Sequence, residues 1–338
     1  MKMAKLKFKL IKVNKKRNNN FKIGIFMEEF IQNKINDIFG DEYELIKIEP
    51  LLGGAQKHTF LVKCKNGFSF VIYKWCDETT YFTYDSETAV FRSSSAILFE
   101  ENNKLMIQNG VLTPKIYFID RTRCEQNYDY AFVEYIDGFD IDNIRSKYPE
   151  RLPKAIESLT DNINKLHKVK SNRVGQLGRL QDEEFDILRF SLENFFEDCD
   201  YLINNDKIFK NMYIYIRKKV SLLEKKLSKS SEYTFIHGEL GPNHVIVDKD
   251  SKAFLIDIEG AKFCDVEEEN SFLKIRFNSD IKEVADEVDV NKMLFYHITH
   301  CFGNLRGAIE LKAKGYYDMD DLDGMIKFFR SEIEHFKI

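Results

Sequence analysis

Cys-x-x-Cys pairs are missing from this chain. Its six cysteines stand apart at 64, 76, 124, 199, 264 and 301. That scatter excludes a paired zinc clip or dithiol motif and reads as reduced, mostly buried thiols of a cytoplasmic protein. Long apolar runs are missing as well. No segment holds about 18 consecutive uncharged apolar residues, so no membrane span and no membrane partner are expected. No secretory leader with a clean apolar core is visible. Nor is charge of one sign in excess: 51 Lys and Arg stand against 55 Asp and Glu, a net charge of −4. That balance offers nucleic acid no global attraction, and no nucleic-acid partner is expected. Proline is scarce, at 5 residues, beside many Lys, Asn and Ile. This mix suggests an AT-rich coding genome and says little about function.

What is present suits a chain of two lobes. The chain has 338 residues, 43% of them hydrophobic and 31% charged. That is too long for one small core and long enough for two lobes. Residues 1–20 carry eight Lys or Arg and no acid, and residues 1–26 read as a basic, solvated tail. Met27 opens a helix running from Glu28 to Phe39. Alternating strands follow. "FLVKC" and "FSFVIYKW" flank Lys65-Asn66-Gly67, a tight-hairpin signal. A helix near 95–109 comes next, then the strands "PKIYFID" and "YAFVEYI". The first lobe is therefore assigned to 27–136 and the second to 137–338, with the boundary near Asp137-Gly138. From residue 150 the pattern turns helical. Leu152, Ile156, Leu159, Ile163 and Leu166 share one helix face, as do Met212, Ile216, Val220, Leu223 and Leu227. A strand–turn–strand unit interrupts at 233–257. The fold class is α+β: an antiparallel sheet lobe followed by a mainly helical one.

The interruption carries the chemistry. In "FIHGELGPNHVIV" an apolar run stops at His237, and Gly238, Gly241 and Pro242 break the backbone before a second apolar run begins. His237, Glu239, Asn243 and His244 crowd into that break. "AFLIDIE" then brings Asp257 to the end of a strand. A hairpin between Glu239 and Asp257 can place both carboxylates in one cleft. One acid would accept a hydroxyl proton and the other would hold an ion bridging phosphates.

These motifs resemble the aminoglycoside phosphotransferase and choline kinase family, which shares the protein-kinase-like fold. The family pattern His-Gly-Asp-x-x-x-x-Asn, followed by an Ile-Asp-x-Glu/Asp strand, is matched in position by "HGELGPNH" and "LIDIE". In order upstream stand Gly53-Gly54 in a Gly-rich hairpin, the strand lysine Lys74, "GVLTPKIY", the hinge "FVEYIDG" and "NKLHKV". The resemblance spans roughly 43–270. It implies a kinase that transfers phosphate from ATP or GTP, with Mg²⁺ or Mn²⁺, to a small-molecule hydroxyl. Gly53, Gly54 and Lys74 would hold phosphates, and Glu101, or Glu100 beside it, would pair with the lysine. Glu134, Tyr135 and Ile136 would border the nucleotide at the hinge. Glu239 stands where the family has its catalytic aspartate. Asp257 would hold the metal, with His244 standing at the family's metal-binding Asn. His237 and Asp265 would support the catalytic loop. A kinase-like protein that binds nucleotide or a partner without phosphoryl transfer is the alternative.

Two other patterns fail. With Gly324 at the glycine of a calcium loop, "DMDDLDGMIKFFR" puts Met319 first and Arg330 last, where carboxylates are needed. Seven residues between Asp257 and Asp265 are too few for a peptide-binding activation segment. For the acceptor, residues 181–200 hold eight acids and one arginine, and 265–270 add four acids. Such a cluster suits a cationic acceptor, an aminoglycoside-like antibiotic, amino sugar or choline-like amine, and equally suits a solvated helix face.

Overall fold

The computed structural model describes residues 25–51, 57–75, 90–91, 95–277, 281, 288–315 and 319–336. Gly53, Gly54 and residues 1–24 of the basic tail lie outside the described residues.

Helix α1 spans Ile25–Phe39, opening two residues ahead of Met27. Strands β1 (Leu45–Leu51), β2 (His58–Cys64) and β3 (Ser69–Trp75) follow, then α2 (Ala96–Gln108), β4 (Ile116–Asp120) and β5 (Asp129–Glu134). The five strands form one antiparallel sheet in the order β1-β2-β3-β5-β4. Gly67 turns the β2–β3 hairpin at φ +85°, and the Asn66 side chain accepts from the Phe68 amide at 3.0 Å. A positive φ at little cost is why glycine suits that corner.

Both faces of this sheet are apolar, and each is buried differently. Phe60, Val62, Phe70, Ile72, Tyr130 and Phe132 pack with Ile31 and Ile35 of α1. Val71, Tyr73 and Trp75, on the alternate face, pack with Ala96 and Phe99 of α2 and join the main core. A fully buried Phe or Ile adds about 1.5–3 kcal/mol, so both faces stabilise the lobe.

Strand β6 (Gly138–Asp140) and helix α3 (Ile141–Lys147) carry the chain onward to α4 (Leu152–His167). The two-residue strands β7 (Lys170–Ser171), β8 (Gly175–Gln176) and β9 (Arg179–Leu180) precede α5 (Ile187–Asn205) and α6 (Lys210–Leu223). Then come β10 (Tyr233–Ile236), β11 (Val245–Asp248), β12 (Ala253–Leu255) and β13 (Lys262–Cys264). Helices α7 (Val266–Phe277), α8 (Val290–Ala313) and α9 (Met319–His335) close the fold. β10 pairs with β7 and β13, whereas β11 lies between β12 and β6. Asn162 of α4, fully buried, ties this region to the first lobe's edge: its amide donates to the Ala253 carbonyl at 2.6 Å and accepts from the Leu112 amide at 2.9 Å.

Two local expectations change. β12 ends at Leu255, so Asp257 is not a strand end: it precedes a 3-10 turn, Ile258–Gly260, at φ +61° and ψ +45°. Residues 266–277 form α7, which burial conceals from a periodicity argument because Glu267, Glu268 and Glu269 are all buried. Cysteines 64, 124, 199, 264 and 301 are free thiols, and all but Cys124 are buried. Among the described residues no helix is long and apolar enough to cross a membrane.

Candidate active site

The site begins where β10 leaves the core. Tyr233 to Ile236 are all buried, and so is His237, at 0% exposure. The His237 Nε2–H donates to the Ile256 carbonyl at 3.0 Å. Burial pushes this imidazole down to about 4, with the nearby His244 adding to the effect, so it is neutral at physiological pH. His237 thereby ties the loop after β10 to the segment that carries Asp257. Gly238 follows at φ +86°, and a Cβ there would meet the Gly260 carbonyl oxygen at 3.0 Å. Its amide donates to Glu269 Oε2 at 2.8 Å.

Glu239 stands at the tip of that loop, with its carboxyl carbon 3.9 Å from where a Gly260 side chain would begin. Its side chain is exposed to solvent, yet the protein packed around the carboxyl raises its pKa and the Asp257 carboxylate raises it further, while Lys262 and Arg276 pull it back. Asp257 behaves oppositely. The Lys57 ammonium holds its carboxyl well below the usual range, against the cost of burial and with help from His244.

His244 lies between the two acids. Its Nδ1 sits 2.7 Å from the Glu239 carbonyl oxygen, which can only accept, so Nδ1 carries the proton. The Nε2 lone pair is then free, 3.4 Å from Asp257 Oδ2. A ring nitrogen oriented by a backbone carbonyl and set beside a carboxylate is a fitting pair of ligands for a divalent ion. Among the described residues no group of three or more His, Cys, Asp or Glu is arranged to hold a metal. Two protein ligands suit an ion whose other positions go to phosphate oxygens and water.

Lys57, immediately before β2, completes the cluster. Its Nζ lies 2.6 Å from Asp257 Oδ1 and 2.6 Å from Glu259 Oε1, with 10% of the side chain exposed. It also sits 4.9 Å from the Tyr73 ring centroid. Glu259, 2% exposed, accepts a further bond from Trp75 Nε1 at 3.2 Å. Burial would lower the lysine's pKa, but the two carboxylates outweigh it and raise it.

Several expected residues stand elsewhere. Lys74 is on the opposite face of β3, with its Nζ 3.8 Å from the Tyr128 ring centroid, beside Phe60, Ile72 and α1. Alternation along the strand sends Tyr73, not Lys74, toward the cleft. Glu101 therefore does not meet Lys74. Its carboxyl faces Gly178 in the β8–β9 hairpin, 3.2 Å from where a Cβ would be, and among the described residues Oε2 is buried without a hydrogen-bond partner. Glu100 pairs with Lys104 at 2.6 Å and Arg121 at 3.1 Å. Among the described residues, the hydrogen bonds of Asp265 run to partners outside the loop. It accepts from Tyr296 at 2.7 Å, pairs with Lys292 at 3.2 Å and bonds Ser230. The contact with the loop backbone belongs to Glu269, four residues later. At the hinge, the Glu134 amide donates to the Lys115 carbonyl at 2.8 Å and its side chain accepts from the Lys115 amide at 3.1 Å, while Tyr135 and Ile136 are half-buried.

Two cations that the motif reading passed over, Lys262 and Arg276, act on Glu239. Lys262 pairs with Glu268 at 2.7 Å and lies 4.6 Å from the Phe91 ring centroid. Burial would raise Glu268, but Lys262 and His300 hold it at about 2. Arg276 bonds the Asn243 side chain and packs its guanidinium flush on Gly241. Most of the acids expected to attract a cationic acceptor are already engaged. Asp186 caps α5; Glu193, Asp198 and Asp200 pair with Arg189, Arg306 and Arg217.

Residues 77–270 match the model of the phosphotransferase enzyme family. No curated protein sequence matches the chain. Solved structures agree on the fold. A thermostable mutant of aminoglycoside phosphotransferase APH(4)-Ia is 12% identical with a TM-score of 0.62, over 92% of this chain and 99% of that one. Choline kinase LicA from Streptococcus pneumoniae is 18% identical with a TM-score of 0.58, over 90% and 99%. The GDP complex of aminoglycoside 2'-phosphotransferase-IIIa is 15% identical with a TM-score of 0.57, over 91% and 99%.

Proposed function

This chain belongs to the phosphotransferase enzyme family, and from that premise we propose that it transfers the terminal phosphoryl group of ATP or GTP to a hydroxyl of a small, cationic molecule. Glu239 accepts the hydroxyl proton. The acceptor oxygen bonds to the terminal phosphorus, the bond to the bridging oxygen breaks, and the nucleoside diphosphate leaves with the electron pair. Asp257 and His244 are the residues that would hold Mg²⁺ or Mn²⁺, and the ion would neutralise charge between phosphate oxygens.

One observation carries this reading: two carboxylates in one cleft whose pKa values are pushed in opposite directions. Glu239 is raised and suits a proton acceptor, while Asp257 is depressed and stays anionic for a metal. The acceptor class draws its support from the relatives, an aminoglycoside phosphotransferase and a choline kinase, whose named acceptors are amines bearing hydroxyls.

The test is a thermal-shift series with ATP, GTP, Mg²⁺ and Mn²⁺, followed by nucleotide-diphosphate release with a panel of aminated alcohols and amino sugars. A ligand at a hundredfold excess over its Kd stabilises by about 2.7 kcal/mol, which such a series resolves. Stabilisation by a metal–nucleotide pair and diphosphate release with an amine-bearing acceptor are expected. Stabilisation without release for any acceptor would leave a nucleotide-binding protein. No stabilisation at all would overturn the reading.

A further inference from the structure

We infer that Lys57, anchored by Glu259, is the cation that meets the nucleotide phosphates, in the place where family resemblance puts the strand lysine Lys74 and its helix partner. The inference rests on the phosphotransferase reading above.

The argument starts from the pleat. β3 pairs in register with β5 from Phe70 to Trp75, so a slip that would turn Lys74 inward would also turn Tyr73 and Trp75 out of the core. Lys74 is therefore fixed on the α1 side. The cleft face of the strand offers Tyr73 and Trp75, and neither is a cation. The amine that does lie there comes from the residue just before the neighbouring strand β2. Lys57 reaches across the Tyr73 ring to Asp257 and Glu259, at 2.6 Å each.

The chemistry of that position fits phosphate. An ammonium has three donors, and two are used by the carboxylates. Asp257 is the residue that would turn to a metal ion, which releases its hold on the lysine. Glu259 would not let go: it is 2% exposed and fixed by Trp75 Nε1. Lys57 is thus a desolvated positive charge on a fixed anchor, with donors freed at the moment metal and nucleotide arrive. The lysine–glutamate pair expected of Lys74 and Glu101 is found instead as Lys57–Glu259.

The parent protein can test this without a substitution. An acyl-phosphate derivative of ATP or GTP carries an activated acyl group on its terminal phosphate. A lysine ammonium beside that phosphate loses a proton to solvent, the freed Nζ attacks the acyl carbon, a second proton is lost as the amide forms, and the nucleotide leaves with its phosphate. Peptide mapping is expected to find the amide on Lys57 and none on Lys74, with an excess of unmodified nucleotide blocking it. Trp75 is the only tryptophan in the chain, and it bonds Glu259, so its emission reports nucleotide entry independently. Lys57→Met is expected to weaken nucleotide binding about tenfold or more, as for loss of a charged hydrogen bond, while Lys74→Met stays within about twofold. Label on Lys74 alone, or a Trp75 response to nucleotide with no labelled lysine, would overturn the inference. No Trp75 response and no label with either nucleotide would overturn the phosphotransferase reading, and the inference with it.

Discussion

His244 donates its Nδ1–H to the Glu239 carbonyl oxygen at 2.7 Å, so the residue proposed as proton acceptor also sets the tautomer of its neighbour. The Nε2 atom is left facing Asp257 Oδ2 at 3.4 Å. Imidazole suits later transition ions, whereas Mg²⁺ takes oxygen. His244→Asn is therefore expected to keep or raise Mg²⁺-supported turnover and to reduce any preference for Mn²⁺. Parallel Mg²⁺ and Mn²⁺ titrations of parent and variant with one acceptor measure this. A folded variant inactive with both ions would mean that His244 acts on the phosphate itself.

Asp257 occupies the left-handed region at φ +61°, which favours Asn and Asp over other side chains with a Cβ. Asp257→Asn should therefore keep the turn while removing the charge. Metal-dependent nucleotide affinity is expected to fall about 100-fold or more, with little change in melting temperature. Calorimetric titration of Mg²⁺–ATP or Mg²⁺–GTP decides it. Parental affinity in the variant would remove Asp257 as the metal ligand.

Glu239→Gln keeps the shape of the side chain and removes its basicity. A lost general base costs about 10² to 10⁴ in turnover, and nucleotide affinity should stay within about twofold, because the carboxylate acts on the acceptor. Steady-state kinetics beside a nucleotide titration separate the two effects. Unchanged turnover would show that another group takes the proton.

Glu269 carries a pH signature. Burial raises its pKa to about 7 from the ordinary 4.5; the bond from the Gly238 amide opposes the shift and Glu268 adds to it. The folded chain thus holds a proton that the unfolded chain releases. The resulting stability is fully present below pH 4.5 and is lost as pH rises through 7. Glu269→Gln stays neutral and can still accept from Gly238. The variant's melting temperature, relative to the parent's, is expected to rise across that window by up to roughly 3 kcal/mol in stability. A difference independent of pH would mean that Glu269 is ionised throughout in the fold.

The sequence by itself determined the order of elements and the loop that carries Glu239 and His244. Alternation in "FSFVIYKW", the Asn66-Gly67 corner and the 4-3 spacing on α4 and α6 are local signals, set by backbone geometry and nearest neighbours. The break at Gly238 and the closeness of Glu239, His244 and Asp257 follow from a short hairpin, also local. What only the tertiary structure decided is which face of an element looks into the cleft. β3 is apolar on both sides, so its pattern could not say whether Lys74 or Tyr73 points inward. The packing of Ile31 and Ile35 on one face, and of Phe99 on the other, settles it. The same holds for α7, where successive buried acids share a helix turn. Asp265 points to Lys292 and Tyr296, and Glu269 returns to the Gly238 amide. Partners that lie 31 residues away for Glu269, and 200 and 202 for Lys57, leave no trace in a local pattern, because long-range packing alone chooses among the faces that local geometry permits.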